Sequence, residues 1–321
     1  IAIRRPDGYV GKPPELGTGV FAMDTGASSS TIPNYDSGFP VDFGINKIVG
    51  GAYGWGASSR LTSGKYLILN DTDAEDSSAS FVFDSNVGWN TDGNGSTKQS
   101  WMFRRHAGFD VIAYTGTGSY HDVPHSLGKK PEMVWVKRRD TSSTPWLVSH
   151  KGLNGGTNYM HYYIKLNENE AETDGSGQGN KKFNTSSDHT ATTIAIGNDS
   201  GWTNASGGDF LCMAFASVDG ISKVGSYSGT GSSLTITTGF QPRFVIIKKA
   251  SGSGANRNWY TLDTTRGWGS GNDKILLLSD DDAQTDDTDM GAPTSTGFTL
   301  TGETHTGWNA DNCEYIYYAH A

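Results

Sequence analysis

The residues that could do chemistry in this chain are carboxylates, histidines and solitary aromatics. Acid gathers in three places: Asp71, Asp73, Glu75 and Asp76; Glu168, Glu170, Glu172 and Asp174; and Asp280 to Asp282 followed by Asp286, Asp287 and Asp289. Calcium takes about six to eight oxygens, which such loops could offer, but the order lacks the glycine and the distal glutamate of an EF-hand. The simpler reading is three solvated acidic turns, with no metal and no cofactor. His121 and His125 flank Asp122, yet Pro124 interrupts the segment and the second copy of this stretch, set out below, has Leu234 and Thr238 there. A shared zinc site is excluded. No Gly-x-Ser-x-Gly elbow, phosphate loop or cysteine pair appears, and among so many carboxylates no glycosidase dyad stands out. An enzyme is not expected.

Aromatics are the other candidates, with 9 Trp and 14 Tyr. Trp89, Trp202 and Trp308 each follow a glycine near the end of a repeated stretch, which reads as structural anchoring of a recurring turn. Trp55, Trp268 and Tyr53 instead sit singly among Gly, Ser and Arg, as in Arg266-Gly-Trp268-Gly. An aromatic exposed in a polar loop can stack on a sugar face, so these three are the candidate glycan contacts.

The elements that must position such residues are written more than once. Tyr114-Thr-Gly116-Thr-Gly118 returns as Tyr227-Ser-Gly229-Thr-Gly231, and Pro131, Val134, Val136 and Lys137 return as Pro242, Val245, Ile247 and Lys248. A second signature, Tyr66 to Glu75, matches Tyr163 to Glu172 and more loosely Ile275 to Gln284; Gly-Trp at 88, 201 and 307 is the third. Self-similarity of this kind signals stacked copies of one structural unit. Three markers in one order divide the chain into units at 9–108, 109–220 and 221–321, the first the most divergent. Residues 1–8 align with the closing strand Trp101-Met-Phe-Arg-Arg, so they are expected to be the closing strand of a preceding unit in a longer chain.

Composition agrees with strands joined by turns. Only 35% of the 321 residues are hydrophobic, and the 43 glycines are roughly twice the usual share. The extra glycine stands with Ser, Thr, Asn and Asp between short β-branched and aromatic runs such as Met133-Val-Trp-Val-Lys137 and Phe244-Val-Ile-Ile-Lys248. The only helix candidate is a turn near Asp73 to Asp76 and its equivalents. The expected fold is all-β: three tandem antiparallel β-sandwich units, jelly-roll or lectin-like. No apolar run is long enough to cross a membrane. A formal charge of −9 argues against nucleic acid, whose phosphates need basic stripes. The basic run Lys137-Arg138-Arg139, echoed by Lys248-Lys249, reads as strand-end charge facing solvent. Cys212 and Cys313 form no disulfide framework and are expected as buried thiols.

The string Phe109-Asp-Val-Ile-Ala-Tyr-Thr-Gly-Thr-Gly118, then His125-Ser-Leu-Gly, then Pro131-Glu-Met-Val-Trp-Val-Lys-Arg-Arg139 and Trp146, resembles a repeated domain of uncharacterised function in virion structural and tail-fibre proteins of tailed, mainly marine, bacteriophages. The opening Ile1-Ala-Ile-Arg-Arg-Pro6 is similar to a segment found just upstream in those proteins. The resemblance covers most of units 2 and 3; unit 3 departs most, with Gln241-Pro-Arg for Gly128-Lys-Lys-Pro131. It implies a viral structural protein located in the virion, with other virion proteins as partners: a tail fibre or baseplate appendage attaching to the host surface and its polysaccharide. The alternatives are a capsid decoration or head-fibre protein and, from another class, a secreted bacterial adhesin.

One strand bears on assembly. Phe210, Cys212, Ala214 and Ala216 alternate with Leu211, Met213 and Phe215, so both faces are apolar, whereas a sandwich has one inner face to offer. The surplus face needs an adjoining unit or another subunit, and the expectation is a homo-oligomer, a trimer.

Overall fold

A computed structural model gives the fold, described for residues 16–27, 33–91, 97–177, 179–184, 186–302 and 307–321. The expected strand at residues 1–8 lies outside them. The protein is all-β, built of open antiparallel sheets as composition implied. Three of these sheets have six strands and one strand order. In the first, Phe21–Thr25 pairs with Lys98–Phe103, then come Phe43–Ile48, Gly56–Ser59, Lys65–Ile68 and Asp76–Ser77. The second runs Phe109–Thr115, Asp209–Phe215, Met133–Arg138, Leu147–His150, Tyr162–Lys165, Thr173–Asp174; the third runs Ser222–Ser228, Glu314–His320, Phe244–Ser251, Trp259–Asp263, Asp273–Leu277, Thr285–Thr288. Small ladders accompany them: Tyr35–Asp36 with Gly88–Trp89, His121–Pro124 with Thr193–Ile196, and Leu234–Thr237 with Gly297–Leu300 and Pro293–Thr294.

Register fixes which residues correspond. Phe103, Phe215 and His320 each sit opposite the first residue of the strand beside them, at Phe43, Met133 and Phe244. Tyr114 and Tyr227 hold equal places, opposite Phe210 and Tyr315 on the closing strands. Because side chains alternate across a strand, each large sheet has two faces to bury. One face of all three sheets meets in a common core, where Ile45, Trp135 and Ile246 correspond, as do Trp55, Trp146 and Trp259, and Trp101, Met213 and Tyr318. The other faces have cores of their own: Trp89 with Phe81 and Phe83, Ile194 with Phe210, and Phe298 with Tyr315.

The closing strand of the second sheet shows the division. Leu211, Met213 and Phe215 enter the common core, while Phe210, Cys212, Ala214 and Ala216 enter that sheet's own core. Phe215 touches Phe109 and Trp135 in its own sheet and Tyr318 of the third, with ring centroids 5.0 Å apart in the last pair. The surplus apolar face is therefore covered within the chain. Each large apolar side chain so buried stabilises the fold by about 1.5–3 kcal/mol.

One local expectation fails. No helix forms near Asp73–Asp76; short 3-10 turns among the described residues lie elsewhere, as at Gly17–Gly19, Arg60–Thr62, Leu153–Gly156 and Tyr159–His161. The acidic stretch is held extended because the amide of Glu75 donates to Arg139 O of the second sheet, and Asp76–Ser77 joins a strand ladder.

Candidate functional site

The seams between the large sheets carry the same hydrogen bonds three times. The indole Nε1 of Trp55 donates to Leu277 O, that of Trp146 to Ile68 O and that of Trp259 to Lys165 O, at 2.9, 2.9 and 2.8 Å. These acceptors occupy one position of the repeat, and each lies on the neighbouring sheet. Backbone bonds follow the same cycle, with Gln284 N to Val49 O, Glu75 N to Arg139 O and Glu172 N to Ala250 O.

The ammonium groups complete the pattern. Lys47 Nζ donates to Tyr53 O and, across the seam, to Asp281 O at 2.7 Å; Lys137 Nζ donates to Thr144 O and across to Thr72 O at 3.1 Å; Lys248 Nζ donates to Arg257 O and across to Glu168 O at 3.0 Å. All three lysines are buried. Burial drives their ammonium groups down to about 8, 8 and 7, partly opposed by nearby acids such as Asp281, Asp71 and Glu170. The reading of Lys137 and Lys248 as solvated strand-end charge is thus corrected: they are internal clamps on backbone carbonyls. Arg138 and Arg139, beside them, pair with Asp140 and Glu75.

The acidic loops are the far halves of these seams. Asp280, Asp281 and Asp282 bring carboxylate oxygens within 4.8 Å of one another, largely exposed. Their loop already offers Asp280 O to Trp55 and Asp281 O to Lys47, so a cation stands at this seam as a side chain.

Two of the three glycan candidates are corrected by burial. Trp55 is 1% exposed in the common core and Trp268 is 4% exposed in the third sheet's own core, its Nε1 donating to Gly291 O. Neither ring can meet a sugar. Tyr53 is 57% exposed at the seam, its amide donating to Asp281 O.

The repeat anchors shift as well. Tyr114 OH donates to Thr203 O and Tyr227 OH to Trp308 O, while the amides of Thr117 and Thr230 donate to Asn204 Oδ1 and Asn309 Oδ1. Asn204 and Asn309 therefore correspond, and Trp202 and Trp308 are one residue out of step. Trp308 is buried against Tyr260, whereas Trp202 is half-buried with Lys182 Nζ 4.1 Å from its ring centre. Trp89 is buried in the first sheet's own core, its Nε1 on Ser100 Oγ. The Tyr-x-Gly-x-Gly motif is explained by the same clasp. A Cβ on Gly116 or Gly229 would lie 2.2 or 2.1 Å from the carbonyl oxygen of Ala205 or Ala310, and Gly118 and Gly231 take φ of 73° and 64°. The Asn-Ala pair that follows each turn, Asn204-Ala205 and Asn309-Ala310, was the sequence signal for this anchor.

Open hollows lie on the surface beside the second and third large sheets. One, of about 240 Å³, is lined by Lys129, Lys130, Glu132, Lys151 and Tyr159; its neighbour, of about 340 Å³, by Asn158, Tyr159, His161, Ser186, Ser187 and Asp188. Tyr159 is the wall between them. Its hydroxyl and the Lys130 ammonium both bond Asp188, and Lys130 Nζ also lies 5.5 Å from the Tyr159 ring centre. Burial raises the Asp188 carboxyl, but those two donors outweigh it and hold the group below its ordinary value. Lys151 pairs with Glu132 at 2.5 Å, and Lys129 Nζ reaches Ser217 O at 3.3 Å. A third hollow, lined by Gly17, Gln241, Pro242, Arg243 and Ala321, repeats the place of the first on the next sheet without its lysines.

A family model for a domain of unknown function, DUF7483, matches residues 83–321. The chain belongs to the DUF7483 family. The DUF7483 match takes in the whole of the second and third large sheets, both Tyr-x-Gly-x-Gly clasps and the hollows around Tyr159. Neither a curated protein nor a solved structure matches the chain.

Proposed function

We propose that this DUF7483 chain is a rigid display module of a bacteriophage virion, a tail-fibre or baseplate-associated appendage that attaches to the host surface. The observation that carries the reading is the set of three equivalent seams, each with a buried lysine, an indole and a backbone bond crossing between sheets. We infer three sandwich units, each a six-stranded sheet backed by its small ladder, locked around a common core. Among the described residues each large sheet is tied to both of the others. Such a ring presents loops on a stiff frame, which suits contact with a partner surface. The motif resemblance to phage virion proteins supplies the setting.

Two measurements test this. Labelled antibody against the chain, imaged on intact particles, should decorate the tail; decoration of the shell would favour a capsid protein. Purified chain should bind host cells or their polysaccharide, and failure to bind either would sink the attachment reading.

A further inference from the structure

The two hollows joined at Tyr159 form a groove whose ends differ in chemistry. At one end Asn158, Ser186, Ser187 and His161 offer hydrogen-bonding side chains around a hollow of about 340 Å³ that Asp188 also lines. At the other, Lys129, Lys130 and Lys151 converge on a smaller hollow. Glu132 in the same hollow pairs with Lys151 and Asp188 pairs with Lys130, so Lys129, bonded to Ser217 O, leaves the hollow with a local excess of positive charge in a chain of net charge −9. The bridge between the ends is fixed, because Asp188 holds both Tyr159 and Lys130. The rim is held in place by an uncommon backbone: Asn154, Gly155, Gly156 and Asn158 have φ of 51°, 61°, 82° and 49°. Left-handed non-glycine residues are uncommon, and Asn is among the types that best tolerate that conformation.

We propose that this groove binds an acidic oligosaccharide, with a neutral sugar among Asn158, Ser186, Ser187 and His161, the Tyr159 ring beside it, and the anionic group of the next sugar at Lys129 and Lys151. Hydroxyl-rich ligands need paired donors and acceptors against an aromatic wall, and an anionic substituent forms the stronger, charge-assisted bonds with ammonium. The inference rests on the attachment reading and gives it a site and a ligand class.

The test is titration calorimetry of the whole chain with tetragalacturonate, with a carrageenan-derived sulfated tetrasaccharide and with neutral maltotetraose. Carboxylate and sulfate sources are separated by the first two. At least one anionic probe should bind about tenfold or more tighter than maltotetraose, with affinity falling as salt rises. Tyr159→Ala should weaken it by about tenfold or more, Tyr159→Phe by only a few-fold, and Lys129→Gln with Lys151→Gln should remove most of the salt dependence. Circular dichroism of each variant keeps a loss of binding distinct from a loss of fold. Binding of neither anionic probe, or binding unchanged in Tyr159→Ala and in the double lysine variant, overturns the proposal. If Tyr159→Ala still attaches to host cells as well as the parent, this site falls and the attachment reading stands; if the parent chain attaches to nothing, both fall.

Discussion

At the scale of single residues, the seam tryptophans make the sharpest claim, because one indole bond is made three times in one chain. Trp55→Phe, Trp146→Phe and Trp259→Phe each keep a ring in the common core and lose the indole's bond to the next sheet, which Trp55 shares between Leu277 O and Asp280 O. Each should cost about 1 kcal/mol, more where the carbonyl is left dry. Urea denaturation of the three variants should show similar losses; one large loss beside two negligible ones would mean that the seams are not equivalent. These residues also show why the sites were hard to read. Trp55 lies among Gly and Ser, the composition of an exposed loop, and its burial comes from a strand more than two hundred positions away. Nothing local announces that partner.

Titration is a second residue-scale consequence. His106, His150, His189 and His320 are buried, and burial pushes the first two down to about 3, His189 to about 4 and His320 well below its ordinary value. Unfolded, the same groups take a proton near pH 6.5. Their contribution to stability is therefore full above pH 6.5 and is lost as pH falls toward 3, at about 1.4 kcal/mol per pH unit for each group. Asp273, raised to about 6 by burial, runs the other way: the folded form takes up its proton first, so falling pH favours folding through that carboxyl down to its unfolded value of 3.8. Burial also raises Asp24 and Glu172, which act in the same sense, and lowers His125, which joins the other histidines; between pH 7 and pH 5 the histidines dominate because their unfolded value lies inside that window. The melting temperature should drop clearly between pH 7 and pH 5, and a flat profile over that range would contradict the buried neutral histidines.

At the scale of elements, the strands and their order were legible, because β-branched and aromatic runs bounded by glycine repeat with a common set of markers. Met133–Arg138 and Phe244–Ser251 fall where the pattern placed them, next to the closing strands Asp209–Phe215 and Glu314–His320. The turns were less legible. Gly-Trp looked like the anchor, but the recurring contact belongs to Asn204 and Asn309, and one extra residue between Trp202 and Asn204 moves that tryptophan out of step. The acidic loops were read as solvated, and many of their carboxylates are, yet the backbone carbonyls of Thr72, Glu168 and Asp281 bind the lysines of the next sheet. That predicts their response to calcium. With Lys47 already at the Asp280–Asp282 loop, adding calcium or a chelator should leave the melting temperature nearly unchanged. A site filled at a hundredfold its Kd would add about 2.7 kcal/mol, a shift that scanning calorimetry resolves.

At the scale of the molecule, the two-faced strand Asp209–Phe215 posed the question of what covers its second face. Sequence pattern shows that such a face exists but does not say whether a neighbour in the same chain or a second copy fills it, since both present the same apolar chemistry. Here Leu211, Met213 and Phe215 meet residues of the first and third sheets, and the third sheet returns to the first through Trp55, Lys47 and Val49. The ring closes on itself, so the face that suggested a homotrimer needs no second copy. Light scattering of the isolated 321-residue chain tests this most directly. A monomer near 34.4 kDa is the predicted result, unchanged on dilution; a stable species of three times that mass would contradict a core closed within one chain.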